Sequence, residues 1–111
     1  MEEKEISFTR GDTYIIGFTT KNLEGELDTA YFTCRKDKLR ETPVLFQVSL
    51  GDGITYLGNY EYQVVIGSDL TKDMPIGNYY YDLELSQNNS VKTALKGKLK
   101  LTWDVTGDDN E

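Results

Sequence analysis

The stretch that decides the fold is Leu95-Lys96-Gly97-Lys98-Leu99-Lys100-Leu101-Thr102-Trp103-Asp104-Val105, near the carboxyl end of the 111-residue chain. Along it, leucine, tryptophan and valine alternate with lysine and aspartate. A strand places successive side chains on opposite faces of a sheet, so this alternation predicts a half-buried β-strand whose leucines, Trp103 and Val105 face the core. The lysines on the other face would hinder pairing with the edge of a second sheet.

The same period of two recurs upstream, and no stretch holds the 3.6-residue period of a helix. The predicted inward positions are Tyr14, Ile16 and Phe18; Ala30, Phe32 and Cys34; Val44, Phe46, Val48 and Leu50; Tyr60, Tyr62, Val64 and Ile66; Tyr79, Tyr81, Leu83 and Leu85. Turn signals separate these runs, among them Gly51-Asp52-Gly53 and the tight hairpin Asn88-Asn89. One helical turn, capped by Ser68 or Asp69, is predicted between residues 68 and 75. About seven short strands at this spacing predict an all-β fold, an immunoglobulin-like antiparallel β-sandwich, with a small barrel as the alternative.

Length and termini predict one domain. Residues 1–105 form the predicted sandwich, and the short acidic segment 106–111 is predicted to be a disordered tail. The start, Met1-Glu2-Glu3-Lys4-Glu5, lacks the features of a signal peptide, and no apolar run approaches the length of about 20 residues that spans a bilayer. We therefore expect a protein made in the cytoplasm, without a membrane segment.

Charge and composition narrow the function classes. The net charge of −7 makes binding to nucleic acid or to an anionic membrane surface improbable, because both are held mainly by clustered lysine and arginine. The chain has no histidine, which is the side chain best suited to proton transfer near neutral pH and the commonest ligand of transition metals. We expect a protein that is not an enzyme and that carries no cofactor or metal.

Three groups of residues have chemistry that could be functional, and each has a simpler interpretation. Cys34 lies at an inward position, where a buried, inert thiol is expected. Asp82 and Glu84 share one face of a predicted strand, as a glycosidase pair would, but neighbouring carboxylates on a solvated face are commonplace. Arg10-Gly11-Asp12 matches an integrin-binding tripeptide, although a turn centred on Gly11 explains it fully.

Tyrosines give the candidate contact surface. Tyr31, Tyr56 and Tyr80 fall on predicted outward or turn positions, and exposed tyrosines are enriched in protein interfaces and on carbohydrate-binding platforms. Cross-strand pairing on a solvated sheet face is the alternative interpretation of the same residues.

Three segments together resemble a known family. Phe8-Thr9-Arg10-Gly11-Asp12-Thr13, Leu27-Asp28-Thr29-Ala30-Tyr31-Phe32-Thr33 and Pro75-Ile76-Gly77-Asn78-Tyr79-Tyr80-Tyr81-Asp82-Leu83 are similar, in this order, to small immunoglobulin-like domains of phage and prophage tail or baseplate proteins. The resemblance implies a virion structural protein without catalytic residues, which contacts tail or baseplate proteins and further copies of itself as a homo-oligomer. It also implies that Gly11 and Gly77 are structural and that Tyr79 forms a tyrosine corner. Trp103 is a further predicted structural residue, because it lies at an inward position of the last strand. The alternative function is a carbohydrate-binding β-sandwich module.

Overall fold

The computed structural model describes residues 2–20, 26–39 and 41–103. Within them the chain forms nine strands and one short helix. In chain order these are β1 (Glu2–Glu3), β2 (Ile6–Thr9), β3 (Tyr14–Thr19), β4 (Thr29–Arg35), β5 (Val44–Leu50), β6 (Gly53–Gly58), β7 (Glu61–Ile66), α1 (Ser68–Thr71), β8 (Gly77–Gln87) and β9 (Ser90–Thr102).

The strands follow the continuous order β1-β9-β8-β4-β5-β6-β7-β3, and β2 also pairs with β9. Only a short parallel pairing, of Ser49 with Gly53 and of Leu50 with Ile54, joins β5 to β6, and the chain turns sharply there. We call β1, β2, β9, β8, β4 and β5 the front sheet, and β6, β7 and β3 the back sheet. Two sheets packed face to face lie about 10 Å apart, whereas a single sheet is one layer thick. The smallest dimension of the protein is 20 Å, out of 48 × 30 × 20 Å, which fits two layers.

This arrangement is that of an immunoglobulin-like sandwich. Strands β4, β8 and β9 correspond to strands C, F and G, β5 corresponds to C′, and β3, β7 and β6 correspond to B, E and D. The predicted fold is therefore confirmed, although about seven strands were expected. The additional strands are the two-residue β1 and the strand β6, which begins and ends in glycine and for which the alternation predicts no strand.

One apolar core joins the two sheets, and most predicted inward positions are buried in it. Three of those predictions are wrong. Tyr60 is 43% exposed because it lies at positive φ in the turn between β6 and β7. Val44 is exposed at the first position of β5, beside an irregularity in the pairing of β4 with β5. Trp103 is 65% exposed because it follows the last paired residue of β9.

The predicted helical turn and hairpin are both present. The helix is α1, but its N-cap is Gly67, without a side-chain hydrogen bond, so the prediction of Ser68 or Asp69 as the cap is wrong. Asn88 and Asn89 both have positive φ and join β8 to β9, which confirms the hairpin. Val105 and the predicted tail 106–111 lie outside the described residues. In the part of the chain that is described, no helix has the length and apolarity to cross a membrane.

Candidate interaction surfaces

The outward face of the front sheet, which we call the front face, carries two adjoining hollows. The first, of about 460 Å³, is lined by residues including Arg35, Tyr80, Asp82, Lys96 and Lys98. The second, of about 430 Å³, shares Thr33, Arg35 and Asp82 with the first and extends past Gln47 and Glu84 to Tyr31. The pairing of β8 with β9 shifts at Leu83/Glu84 and that of β4 with β5 shifts at Cys34/Arg35, and such irregularities bend a sheet. The bends explain why this face is concave.

Charges of both signs alternate across the front face. Asp82 lies opposite Thr33 on one neighbouring strand and opposite Lys96 on the other. Lys96 also lies 3.9 Å from the carboxylate of Glu3. The first hollow is lined by four basic and three acidic side chains, so it is not acidic even though the whole chain has a net charge of −7. An acidic or mixed surface on a partner meets less repulsion here than elsewhere.

Several contacts hold this face in place. Arg35 donates a hydrogen bond to the carbonyl of Thr42, which ties β4 to the loop before β5. Gln47 donates to Thr33 Oγ1 over 2.9 Å. The ammonium of Lys38 lies 5.7 Å from the ring centre of Tyr80. Because these contacts fix the side chains before any partner arrives, little conformational entropy remains to be lost on binding.

The three tyrosines predicted as a contact surface do not come together. Tyr31 and Tyr80 both lie on the front face, but at different ends: Tyr31 pairs with Glu84, and Tyr80 pairs with Arg35. Tyr56 lies on β6 in the back sheet, where its ring packs against Tyr62. The front face therefore has a tyrosine in each hollow, and Tyr56 belongs to another surface.

The residues singled out by the family resemblance meet at one end of the sandwich. Gly11, at φ 85°, donates its N–H to Thr71 Oγ1 over 2.9 Å, and Arg10 donates to the carbonyl of Met74. The Tyr79 hydroxyl donates to the carbonyl of Pro75, four residues upstream, which is the contact of a tyrosine corner. Burial raises the pKa of the Tyr79 hydroxyl. The electrostatic interaction with Cys34 raises this pKa further, and the interaction with Arg10 lowers it. Arg10-Gly11-Asp12 is thus a turn tied to the last residue of α1 and to the loop after it. Gly77, at φ 141°, is the first residue of β8.

The remaining candidates for chemistry have ordinary surroundings. Cys34 is fully buried, and burial raises the pKa of its thiol to about 12. Asp82 and Glu84 share the front face as predicted and both line the second hollow. Among the described residues, no group of three side chains is arranged to hold a metal ion.

Sequence reasoning missed the free edge of the back sheet. Strand β3 pairs with β7 on one side, and it ends the strand order among the described residues. Its outward side chain Ile15 is 57% exposed, and its inward side chains Tyr14, Ile16 and Phe18 are only half-buried. The sequence does indicate an unprotected strand here, because the segment Tyr14-Ile15-Ile16-Gly17-Phe18-Thr19 has no charge and Ile15 places an apolar side chain at an outward position.

No protein-family model and no curated protein matches the chain. Among solved structures, it is similar to the extracellular domain of the voltage-gated sodium channel beta4 subunit, at 14% identity over 93% of each chain, with a TM-score of 0.42. It is also similar to the extracellular fragment of novel immune-type receptor 10 from Ictalurus punctatus, at 10% identity over 87% of this chain and 95% of that chain, with a TM-score of 0.42. The fragment of novel immune-type receptor 11 from the same organism, with its stalk region, gives 11% identity over 100% and 94% of the chains and a TM-score of 0.43. The class of the protein, an immunoglobulin-like β-sandwich domain, rests on the strand order and registers given above.

Proposed function

We propose that this chain is a non-enzymatic structural protein of a phage or prophage particle, a tail or baseplate accessory made in the bacterial cytoplasm, which acts through protein–protein contacts. The observation that carries the proposal is the front face, where tyrosine, arginine and charges of both signs line a concave surface. Tyrosine and arginine are enriched at protein interfaces, and complementary charges select the partner. The resemblance in sequence supplies the kind of partner, namely tail or baseplate proteins.

The test is to find the chain in particles. Particles purified after induction of the strain that encodes it should contain the chain at a fixed ratio to the major tail protein, measured by mass spectrometry, and immunogold labelling should locate it on the tail or baseplate. In a strain that carries Arg35→Ala and Tyr80→Ala together, we expect at least a tenfold loss of incorporation. Lys92→Ala, at an exposed position of β9 outside both hollows, is the matched control and should be incorporated normally. Particles that never contain the chain would contradict the proposal.

The second candidate function is carbohydrate binding at the second hollow. It is favoured by the position of Tyr31, which is 36% exposed beside the polar side chains of Thr33, Gln47 and Glu84. A ring against which a sugar can stack, next to hydrogen-bonding groups, is a typical arrangement for binding a saccharide. Glycan-array binding that is lost in Tyr31→Ala and kept in Tyr56→Ala, on the other sheet, would support this function over the first. Equal loss in both variants, or no binding at all, would count against it.

A further inference from the structure

We propose that two copies of this chain associate through β3, edge to edge and antiparallel, so that the two back sheets join into one continuous sheet. The inference rests on the proposed function and names one of its partners, a second copy of the chain. Its starting point is that β3 presents an unpaired backbone edge among the described residues.

Protection of the other edges distinguishes β3 from them. The edge at β9 is covered by β1 and β2, and the outer edge that these two strands present is only two and four residues long and is interrupted by the charged pair Lys4-Glu5. Strand β5 follows Pro43, lies next to an irregularity at Cys34/Arg35 and turns into β6. Strand β6 begins and ends in glycine and has its own irregularity at Tyr56/Gly58. These are the usual devices that prevent sheet edges from pairing, and β3 has no proline, no charge and no shift in its register with β7.

The core is also incomplete at this edge. On β7, the residues Ile66, Val64 and Tyr62 are completely buried, but their partners on β3, Tyr14, Ile16 and Phe18, are only half-buried. The difference arises because nothing in the described part of the chain lies beyond β3. A further strand at this position would cover the three apolar side chains and satisfy the backbone groups of the edge.

The sequence of β3 is complementary to itself. A two-fold axis perpendicular to the sheet keeps the inward face of each copy inward, so residues of the same parity must lie opposite each other. With Ile16 opposite Ile16 of the second copy, Tyr14 lies opposite Phe18 and Ile15 opposite Gly17. Cross-strand pairs of aromatic and β-branched residues stabilise a sheet, and Gly17 leaves space for Ile15. The residues that pair in this register, Tyr14 to Phe18, carry no charge and are aromatic, aliphatic or glycine.

The distribution of charge also favours a second copy of the chain at the β3 edge. Two copies with a net charge of −7 each repel one another, and a contact between them is least unfavourable where neither copy carries a charge. The six residues of β3 are such a place. Among the described residues, β3 is the one long edge without charge, proline or a register shift, so pairing through β3 leaves no second edge of this kind. The assembly therefore closes as a dimer without growing into a fibre.

The experiment is light scattering on the full chain over a range of concentrations, with variants at Ile15. That side chain is 57% exposed, so Ile15→Lys should keep the fold, which circular dichroism would check. In the proposed register the two copies of residue 15 are diagonal neighbours on one face. We expect a dimer for the wild type, at least tenfold weaker dimerisation for Ile15→Lys, and recovery when Ile15→Lys is mixed with Ile15→Glu. Val91→Lys, equally exposed near the β8–β9 hairpin, is the control and should leave the dimer intact.

Hydrogen exchange provides a second readout that does not depend on a variant. The backbone amides of β3 that point away from β7 should exchange more slowly as the concentration rises, whereas those of β9 should not change. A wild type that is monomeric at all concentrations, a dimer insensitive to Ile15→Lys, or fibres in place of a dimer would each overturn the inference. A monomer that is nevertheless found in particles refutes this inference and leaves the proposed function standing. A dimer that is absent from particles supports this inference and contradicts the proposed function.

Discussion

At the scale of single residues, Gly97 shows how one missing side chain lets the amino-terminal strand approach the sheet. A Cβ added there would lie 2.3 Å from the carbonyl oxygen of Lys4, which is much shorter than a van der Waals contact. The clashing atom belongs to the backbone, so it cannot move away as a flexible side chain would. We expect Gly97→Ala to lower the free energy of unfolding by about 1–3 kcal/mol, the usual range for overpacking. Urea unfolding measures this. Gly67→Ala, with open space around it, is the control and should change stability by less than about 0.5 kcal/mol.

The thiol of Cys34 should make stability depend on alkaline pH. Its folded pKa of about 12 lies above the ordinary value of 9.0, because burial disfavours the thiolate. The unfolded chain therefore releases this proton first, so the contribution of Cys34 is fully present below pH 9 and is lost as the pH rises towards about 12. We expect the wild type to lose stability in this window more steeply than Cys34→Ala, by at most about 1.4 kcal/mol per pH unit.

Unfolding curves in urea at several pH values between 8 and about 12 would measure the difference between the two chains. Cys34 also contributes to the raised pKa of Tyr79, so the loss of that contribution in Cys34→Ala belongs to the same difference. Parallel pH profiles for the wild type and for Cys34→Ala would contradict the assignment.

At the scale of elements, the hairpin between β8 and β9 depends on left-handed backbone at Asn88 and Asn89. Their φ angles are 53° and 68°, and the Asn88 N–H is held by the carboxylate of Asp28 over 2.9 Å. A β-branched side chain is poorly tolerated at such a φ, whereas glycine adopts it freely. We expect Asn89→Val to lower the free energy of unfolding by about 1–2 kcal/mol and Asn89→Gly to preserve or raise it. Thermal melts of the two variants would decide, and equal stabilities would show that the turn is not left-handed.

The sequence predicts the elements that carry a local signal. The alternation in β4, β8 and most of β9, and the asparagine pair of the hairpin, follow from side-chain period and turn chemistry alone. The prediction of buried residues failed where burial depends on the pairing of strands. Trp103 continues the alternation of β9, but it lies beyond the last residue that pairs with β2, so it is exposed. The prediction for Tyr60 is wrong for a similar reason, because Tyr60 lies in the turn between β6 and β7 and not in a strand.

The candidate sites were harder to predict than the strands. Tyr31 and Tyr80 could be placed on an outward face from their parity, but their separation on the front face depends on the antiparallel register of β4 with β8. Tyr56 belongs to a different sheet, which no local pattern indicates. The open edge at β3 could not be recognised either, because whether a strand is central or at an edge is a property of the strand order.

At the scale of the whole molecule, the amino-terminal strand closes the front sheet. Strands β1 and β2 pair with β9 in one continuous register, and between them the Tyr81 hydroxyl donates to the carbonyl of Lys4 over 2.7 Å. Ile6 and Phe8 from this segment are buried in the core. The segment therefore contributes apolar packing and protects the edge of β9.

Removing residues 1–9 should abolish cooperative folding. The two buried side chains alone are worth about 3–6 kcal/mol, which is comparable to the total stability of a small domain. The truncation would also expose the edge of β9 and the leucines beneath it, which favours aggregation. We expect the chain 10–111 to show no cooperative melting transition by circular dichroism. The chain 1–105, which ends at the predicted domain boundary, is the matched control and should keep the melting temperature of the full chain. A cooperative transition of 10–111 at the full chain's melting temperature would show that the front sheet closes without its amino-terminal strand.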